Sequence, residues 1–362
     1  LSDVVRYGLV GAGMMGVEHI NNLAITPGAV VTALADPVAS SLAMSKAALG
    51  PRADQVATFA DSAALAKSGL VDAVIVASPN FTHRAVLEPL FDAGLAILCE
   101  KPLATTLDDA RWVADRAAAS SAVFWTAMEY RYMPPVEAFI GQIHSGRVGD
   151  LRMLSIREHR FPFLTKVGDW NRFSRNTGGT MVEKCCHFFD LMRLITGSEA
   201  VRVYCSGAMD VNHKDERYGG ETPDILDNSF TTVDFANGVR AMLDLSMFAD
   251  GAENQEEITA VGDKARLDVF IPDGALVFSP RVRFRNPKRV EREVVHTDET
   301  ALKAGSHHGS TFYEHQKFNA AVRGAGPVDV TARDGFLAVA IGAAAEISAR
   351  EKRAVEMAEF GL

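Results

Sequence analysis

The chain has little cysteine, no long apolar run and no excess of positive charge. Four cysteines in 362 residues, two of them adjacent at Cys185-Cys186, do not make a disulfide framework in a chain this size. No apolar run reaches the length of a membrane span. A net charge of −9 excludes general attraction to nucleic acid or to an anionic membrane surface. Internal repeats and low-complexity linkers are absent as well. The first strand-like run begins at about Val4, which leaves no room for a signal peptide in front of it. These absences point to a reduced, cytoplasmic setting. What is present is ordinary for a globular chain: 23% charged and 48% hydrophobic residues. At 362 residues a single core is strained, and two domains are expected.

The most informative stretch is the first 36 residues. Val4 to Val10 reads as a buried parallel strand, Gly11-Ala12-Gly13-Met14-Met15-Gly16 follows at once, and a helical stretch runs on to about Ile25. A second strand, Ala29 to Ala35, ends on Asp36, twenty residues past Gly16. In a strand–turn–helix the three glycines have separate tasks: the tight turn at Gly11, close approach of a pyrophosphate at Gly13, and helix-to-strand packing at Gly16. The helix start at Met14 and Met15 offers free N–H groups and a positive dipole end to phosphates. A carboxylate at Asp36 can accept the ribose hydroxyls of an adenosine. Its charge would repel a 2′-phosphate, and Pro37-Val38-Ala39-Ser40-Ser41 brings no arginine to bind one, so NAD is expected over NADP. The bland alternative is a turn whose glycines serve only the turn.

Strand and helix signals alternate to about residue 127, with strand-like runs at Ala57–Phe59, Ala73–Ala77, Ala96–Glu100 and Ala122–Ala127. Such alternation predicts a doubly wound parallel sheet with its ligand at the carboxyl ends of the strands. After Pro134-Pro135 the pattern changes. A helix is expected at Val136–Ser145, a strand at Leu151–Arg157 and one helix over Met181–Ile195. Five alternating, β-branched runs follow between Val201 and Ile271, then helices at Ser310–Val322 and Arg333–Ala349. The expectation is an α/β chain: residues 1–127 a Rossmann domain, residues 128–362 an α/β domain with a large, mostly antiparallel open sheet.

Two constellations carry chemistry. Glu100-Lys101-Pro102 closes a strand of the first domain, where a lysine can reach a substrate hydroxyl; the alternative is a salt-bridged strand end. In Gly178-Gly179-Thr180-Met181-Val182-Glu183-Lys184-Cys185-Cys186-His187-Phe188-Phe189-Asp190, Glu183, His187 and Asp190 fall at i, i+4 and i+7 on one helix face. A histidine can take the proton of an alcohol while a hydride leaves the carbon. Thr180 and Glu183 also spell a capping box, which would explain Glu183 without catalysis. Metal binding by Glu183, Cys186 and His187 is disfavoured because Cys186 leaves that face and no second cluster completes a site.

With these motifs in place, the chain resembles the Gfo/Idh/MocA oxidoreductases, which include inositol dehydrogenases and glucose–fructose oxidoreductase. The resemblance rests on the glycine loop, on Ser78-Pro79-Asn80 with His83, on Glu100-Lys101-Pro102, on Arg131-Tyr132 before Pro134, and on the Gly-Gly helix ending in His187 and Asp190. It implies a cofactor site at Gly11, Gly13, Met14, Met15, Gly16, Asp36, Ser78, Pro79, Asn80, His83, Glu100 and Lys101. It implies that Lys101 and His187 act together on the substrate beside the nicotinamide, with Glu183 and Asp190 as orienting groups. It also implies an open sheet that serves oligomerisation, as a homodimer or homotetramer. Glu183 stands where such proteins usually carry Asp or Asn.

The expected substrate is a sugar, sugar derivative or cyclitol. Arg157, His159, Arg160, Lys166, Arg172 and Arg175 crowd a stretch that also holds Phe161, Phe163, Trp170 and Phe173. Aromatic stacking on a sugar ring with cations for an anionic group is one reading, and a solvated face is the other. His307, His308 and Tyr313 join Arg131 as second-tier substrate candidates. Arg281, Arg283 and Arg285 are read as one exposed face of a strand. The leading function is NAD-dependent oxidation of a secondary hydroxyl. The alternatives are an NAD-recycling glycosidase, which oxidises, eliminates, hydrates and re-reduces, and an inactive nucleotide-sensing protein.

Overall fold

A computed structural model describes residues 4–362. The elements in chain order are β1 (Val5–Val10), α1 (Met14–Ala24), β2 (Ala29–Ala35), α2 (Ala39–Leu49), β3 (Ala57–Phe59), α3 (Ser62–Ala66), β4 (Ala73–Val76), α4 (His83–Asp92), β5 (Ala96–Glu100), α5 (Leu107–Ala119) and β6 (Phe124–Ala127). Next come α6 (Pro134–His144), β7 (Leu151–His159), α7 (Ser174–Thr177), α8 (Thr180–Glu183) and α9 (Cys186–Thr196). The strands β8 (Ala200–Ala208), β9 (Asn228–Phe235), β10 (Arg240–Ser246), β11 (Glu256–Gly262), β12 (Ala265–Ile271), β13 (Ala275–Pro280) and β14 (Glu291–Val294) follow. The chain closes with α10 (Glu299–Ala304), α11 (Ser310–Val322), α12 (Ala332–Glu351) and β15 (Val355–Glu356). Two compact units result. One holds Leu1–Tyr132, Lys166–Trp170 and Asp298–Val339; the other holds Met133–Thr165, Asn171–Thr297 and Ala340–Leu362.

The first unit is built on a six-stranded parallel sheet in the order β3-β2-β1-β4-β5-β6. Its central strands read as continuous apolar runs because both faces are covered: every residue of β4 is buried. The order reverses between β1 and β4, which opens a crevice at their carboxyl ends. Two glycines make the turn there. Gly11 has φ +96, and a Cβ on it would lie 2.4 Å from the carbonyl carbon of Ala77. A Cβ on Gly16 would lie 2.5 Å from the Gly11 oxygen, so only glycine lets α1 start this close to the loop. Helix α11 packs into the same unit, where Tyr7 of β1 donates to Asn319 Oδ1 at 3.0 Å.

The second unit carries a nine-stranded sheet, β14-β13-β12-β11-β7-β10-β9-β8-β15. All its pairs are antiparallel except β7 with β10. Its inward residues alternate with outward ones. Leu154 and Ile156 of β7 and Leu243 of β10 are buried, while Tyr204, Phe230 and Met242 stand exposed on the other face. Registers Tyr204↔Thr232, Phe230↔Asp244 and Met242↔Thr232 put those three on one open surface.

Several expectations are corrected here. The single helix over 181–195 is two helices, α8 and α9, separated at Lys184 and Cys185. Arg281, Arg283 and Arg285 do not lie on a strand: β13 ends at Pro280, and Arg285 has φ +73 in an irregular segment. Alternating arginines suggest a strand by period alone, but Pro287 and a left-handed residue break any ladder. Helix α2 and strands β13 and β14 had no clear signal. Helix α2 begins in Ala39-Ser40-Ser41, without a side-chain cap.

Candidate active site

In the first unit, the glycine loop leaves α1 without a side-chain cap, Gly13 itself being the N-cap. The first turn, Met14 to Gly16, therefore presents backbone donors that have no partner within the helix. A Cβ on Gly13 would meet nothing within 4 Å, so this is the open side of the loop. Asp36 accepts from the Ala12 N–H at 2.8 Å and from the Val38 N–H at 2.8 Å. It ties the end of β2 to the loop. Asn80 is buried and its Nδ2 meets no protein acceptor. An open Gly13 face, a bare helix start, a carboxylate at the end of β2 and a buried orphan amide are what a dinucleotide requires, so the residues present fit NAD.

Ser78 and His83 shape this rim. Thr82 donates to Ser78 Oγ at 2.8 Å. His83 is fully buried, with Nε2 3.1 Å from the Ser78 carbonyl and Nδ1 3.2 Å from the Leu103 carbonyl. Burial pushes its pKa down, so a neutral ring donates through one nitrogen only. Its ring holds the Ser78-Pro79-Asn80 turn from beneath.

Lys101 follows β5, and its main-chain N–H donates to Glu100 Oε2 at 3.0 Å. Around Glu100 lies a buried titratable group that sequence reasoning missed. Glu129 is pushed up to about 7, first by burial. Glu314, which accepts from Trp125 Nε1 at 3.2 Å, is raised well above the carboxylate range, again first by burial. Arg131 donates to the Asp329 carbonyl at 3.1 Å and pairs with Asp334. His307 contacts Glu18 at 2.6 Å, and Ser306 and Thr311 donate to the same carboxylate. Burial works against that carboxylate, but these partners hold it down at about 2. His308, at φ +53, precedes α11, and Tyr313 lies in its first turn.

In the second unit, Glu183, His187 and Asp190 are all buried. Glu183 ends α8, whereas His187 and Asp190 lie on α9. The predicted capping box is absent. The N-cap is Gly179, and the Thr180 hydroxyl donates instead to the Leu226 carbonyl at 2.5 Å. The cap comes from far along the chain: Glu346 Oε1 accepts the Met181 N–H at 2.9 Å. A Cβ on Gly179 would lie 2.3 Å from that oxygen, so glycine makes room for the cap. Burial raises Glu346 to about 7. Replacing Glu346 with leucine should cost about 1–2 kcal/mol through the orphaned helix start, read as a lower thermal midpoint; an unchanged midpoint would show that the cap is idle.

Below His187 lies a charge cluster. Lys184 contacts Glu158 Oε1 at 2.9 Å, and Arg160 Nη1 lies 3.4 Å from the same oxygen. Glu256 sits opposite Glu158 in the ladder and is raised to about 7, by burial and then by the Glu158 charge. The neighbours Arg157 and His159 point the other way. Arg157 pairs with Glu257 and His159 lies 3.2 Å from Asp244, both on the open sheet face. Strand alternation thus puts Arg157 and His159 on the face of β7 opposite Glu158.

The remaining cations of the expected substrate cluster are divided. Arg172 donates from Nε to Glu216 at 2.9 Å and Arg175 makes two bonds to Glu221. Lys166 stands 4.9 Å over the Trp170 ring, and that segment belongs to the first unit. The cluster is therefore a set of matched pairs rather than one positive field. Among the described residues no group of three His, Cys, Asp or Glu side chains could hold a metal ion, and no helix is long and apolar enough to cross a membrane.

A family model described as oxidoreductase family, NAD-binding Rossmann fold, matches residues 5–128, and its companion, oxidoreductase family, C-terminal alpha/beta domain, matches residues 140–357. A myo-inositol 2-dehydrogenase of Thermotoga maritima is 26% identical over 98% of this chain and 99% of its own. The rhizopine catabolism protein MocA of Rhizobium meliloti is 31% identical over 54% of this chain, a match that spans 58% of that protein. A levoglucosan dehydrogenase solved with NADH superposes with a TM-score of 0.82 at 20% identity, covering 98% of this chain and 99% of that one.

Proposed function

Because the chain belongs to the Gfo/Idh/MocA oxidoreductase family, with an NAD-binding Rossmann domain, we propose that it is an NAD-dependent dehydrogenase acting on a secondary hydroxyl of a cyclitol or sugar. The observation that carries this reading is a buried histidine at the start of α9 in a chain whose glycine loop fits a dinucleotide. The full-length likeness to an inositol 2-dehydrogenase supports the substrate class. Residues 1–127 serve the cofactor, and residues 128–362 serve substrate and self-association. The open face bearing Tyr204, Phe230 and Met242 is the surface on which two copies would pair as a homo-oligomer.

When bound, NAD supplies a nicotinamide carbon that accepts a hydride. The N–H groups of Gly13, Met14, Met15 and Gly16 would hold the diphosphate, and Asp36 would hold the adenosine ribose. Asn80 would donate to the nicotinamide half, Ser78 and Pro79 would wall it, and His83 braces their turn. His187 removes the hydroxyl proton through its imidazole. Lys101 donates to the reacting oxygen and stabilises the negative charge that develops as the proton leaves. Glu183 and Asp190 orient the imidazole, and Glu100 fixes the backbone of Lys101. Arg131, Arg160, Lys166, Trp170, Arg172, His307, His308 and Tyr313 remain the residues from which substrate specificity would be drawn.

Asp36→Ala tests the cofactor choice. It removes both the ribose acceptor and the two backbone ties of the loop, so the NAD dissociation constant should rise about tenfold, a loss on the order of 1.4 kcal/mol. The ratio of NADP to NAD turnover should rise with it. An unchanged ratio would take Asp36 out of the cofactor site.

A further inference from the structure

A file of hydrogen bonds inside the first unit ends on the main chain of Lys101, and its two histidines are used by no step above. His315 of α11 meets His19 of α1 edge-on, with His315 Nε2 2.9 Å from His19 Nδ1. The other ring nitrogen of His19 lies 3.0 Å from Glu100 Oε1, and Glu100 Oε2 accepts the Lys101 N–H. Both rings are fully buried.

The protons in this file are assigned from one end. A carboxylate only accepts, so His19 Nε2 carries the proton. In the form with a single proton, His19 offers Nδ1 as an acceptor, and His315 Nε2 donates to it. Burial holds His315 well below the ordinary imidazole range, which suits a neutral donor. Burial alone would raise the Glu100 carboxyl, but the His19 bond and the nearby cations hold it below its ordinary value. The titratable groups facing it are His19, Lys101, His83, Cys99, Glu129, His307 and Glu314. Two of these are themselves carboxyls, so the charge on Glu100 depends on the two donors that touch it, His19 Nε2 and the Lys101 main-chain N–H, of which only the first comes from a side chain.

We propose that His19 is a positioning residue: held in one tautomer by His315, it keeps Glu100 ionised and fixed beside Lys101, so that Lys101 stays a cationic donor to the substrate oxygen. This rests on the role given to Lys101 above. Removing the His19 donor leaves a buried carboxylate that takes up a proton instead of staying charged. Lys101 then loses its counter-charge and gives up its own proton at lower pH.

The test uses the NAD-loaded enzyme with the His19→Leu, Glu100→Gln and His19→Gln variants, measuring kcat and KM across the pH range and NAD affinity by fluorescence. His19→Leu and Glu100→Gln should lower kcat about 10- to 100-fold and move the alkaline limb of kcat down by about one pH unit, and His19→Leu should leave NAD affinity nearly unchanged. His19→Gln, whose amide can donate to Glu100 and accept from His315, should keep the alkaline limb in place. A limb unmoved in either His19→Leu or Glu100→Gln overturns the proposal, as does an equal loss in His19→Gln. Should His19→Leu not fold, Glu100→Gln decides alone. Nitrogen NMR of the histidines separates this idea from the functional reading. A His19 that carries its proton on Nδ1 sinks the proposal alone, whereas an enzyme inert with every alcohol sinks the dehydrogenase reading.

Discussion

Replacing His187 with alanine lowers kcat by about 10²- to 10⁴-fold, the usual worth of a positioned general base, and leaves NAD affinity within about twofold. The expectation follows from where the residue sits. His187 is on α9 of the second unit, buried beside Phe188 and Phe189. The glycine loop, Asp36 and Asn80 all belong to the first. Losing the imidazole removes a proton acceptor for the alcohol without touching the groups that would hold the dinucleotide. Stopped-flow absorbance of NADH and a fluorescence titration of NAD read the two quantities separately. A variant that loses both together would make His187 a cofactor-binding or structural residue.

The second large effect concerns the glycine loop, where two neighbouring glycines should behave differently. Gly11→Ala forces a side chain into a φ of +96 and against the backbone of Ala77 and Ser78. It should cost roughly 2–4 kcal/mol of stability and weaken NAD binding about a hundredfold. Gly13→Ala meets no protein atom within 4 Å and has φ −80. It should leave the thermal midpoint unchanged and still weaken NAD, because the added methyl occupies space a pyrophosphate would fill. Calorimetry with and without NAD distinguishes the pair. If Gly13→Ala binds NAD normally, the diphosphate does not lie over Gly13.

Much of this was legible in the chain itself. The first unit announces its order through period and punctuation: apolar runs buried on both faces, a glycine loop, and Asp36 at the end of β2. The elements that hid were those whose partners are remote in sequence. The Met181–Ile195 stretch reads as one helix because its apolar period is continuous across Lys184 and Cys185. The cap at Met181 comes from Glu346, 165 residues away, so the local Thr180–Glu183 pattern misleads. Arg157 and His159 cluster with other cations in sequence, yet strand alternation turns them to the open sheet face. His19 carried no signal, because nothing near it in the chain reveals Glu100 or His315.

The most direct measurement of the central claim is a panel of cyclitols, free sugars and aryl glycosides, neutral and anionic, incubated with enzyme and NAD while NADH and released phenol are followed together. Accumulation of NADH on a free cyclitol or sugar, without phenol, is the result the account predicts. Release of phenol with no net NADH would contradict it and make this chain a glycosidase that recycles its cofactor.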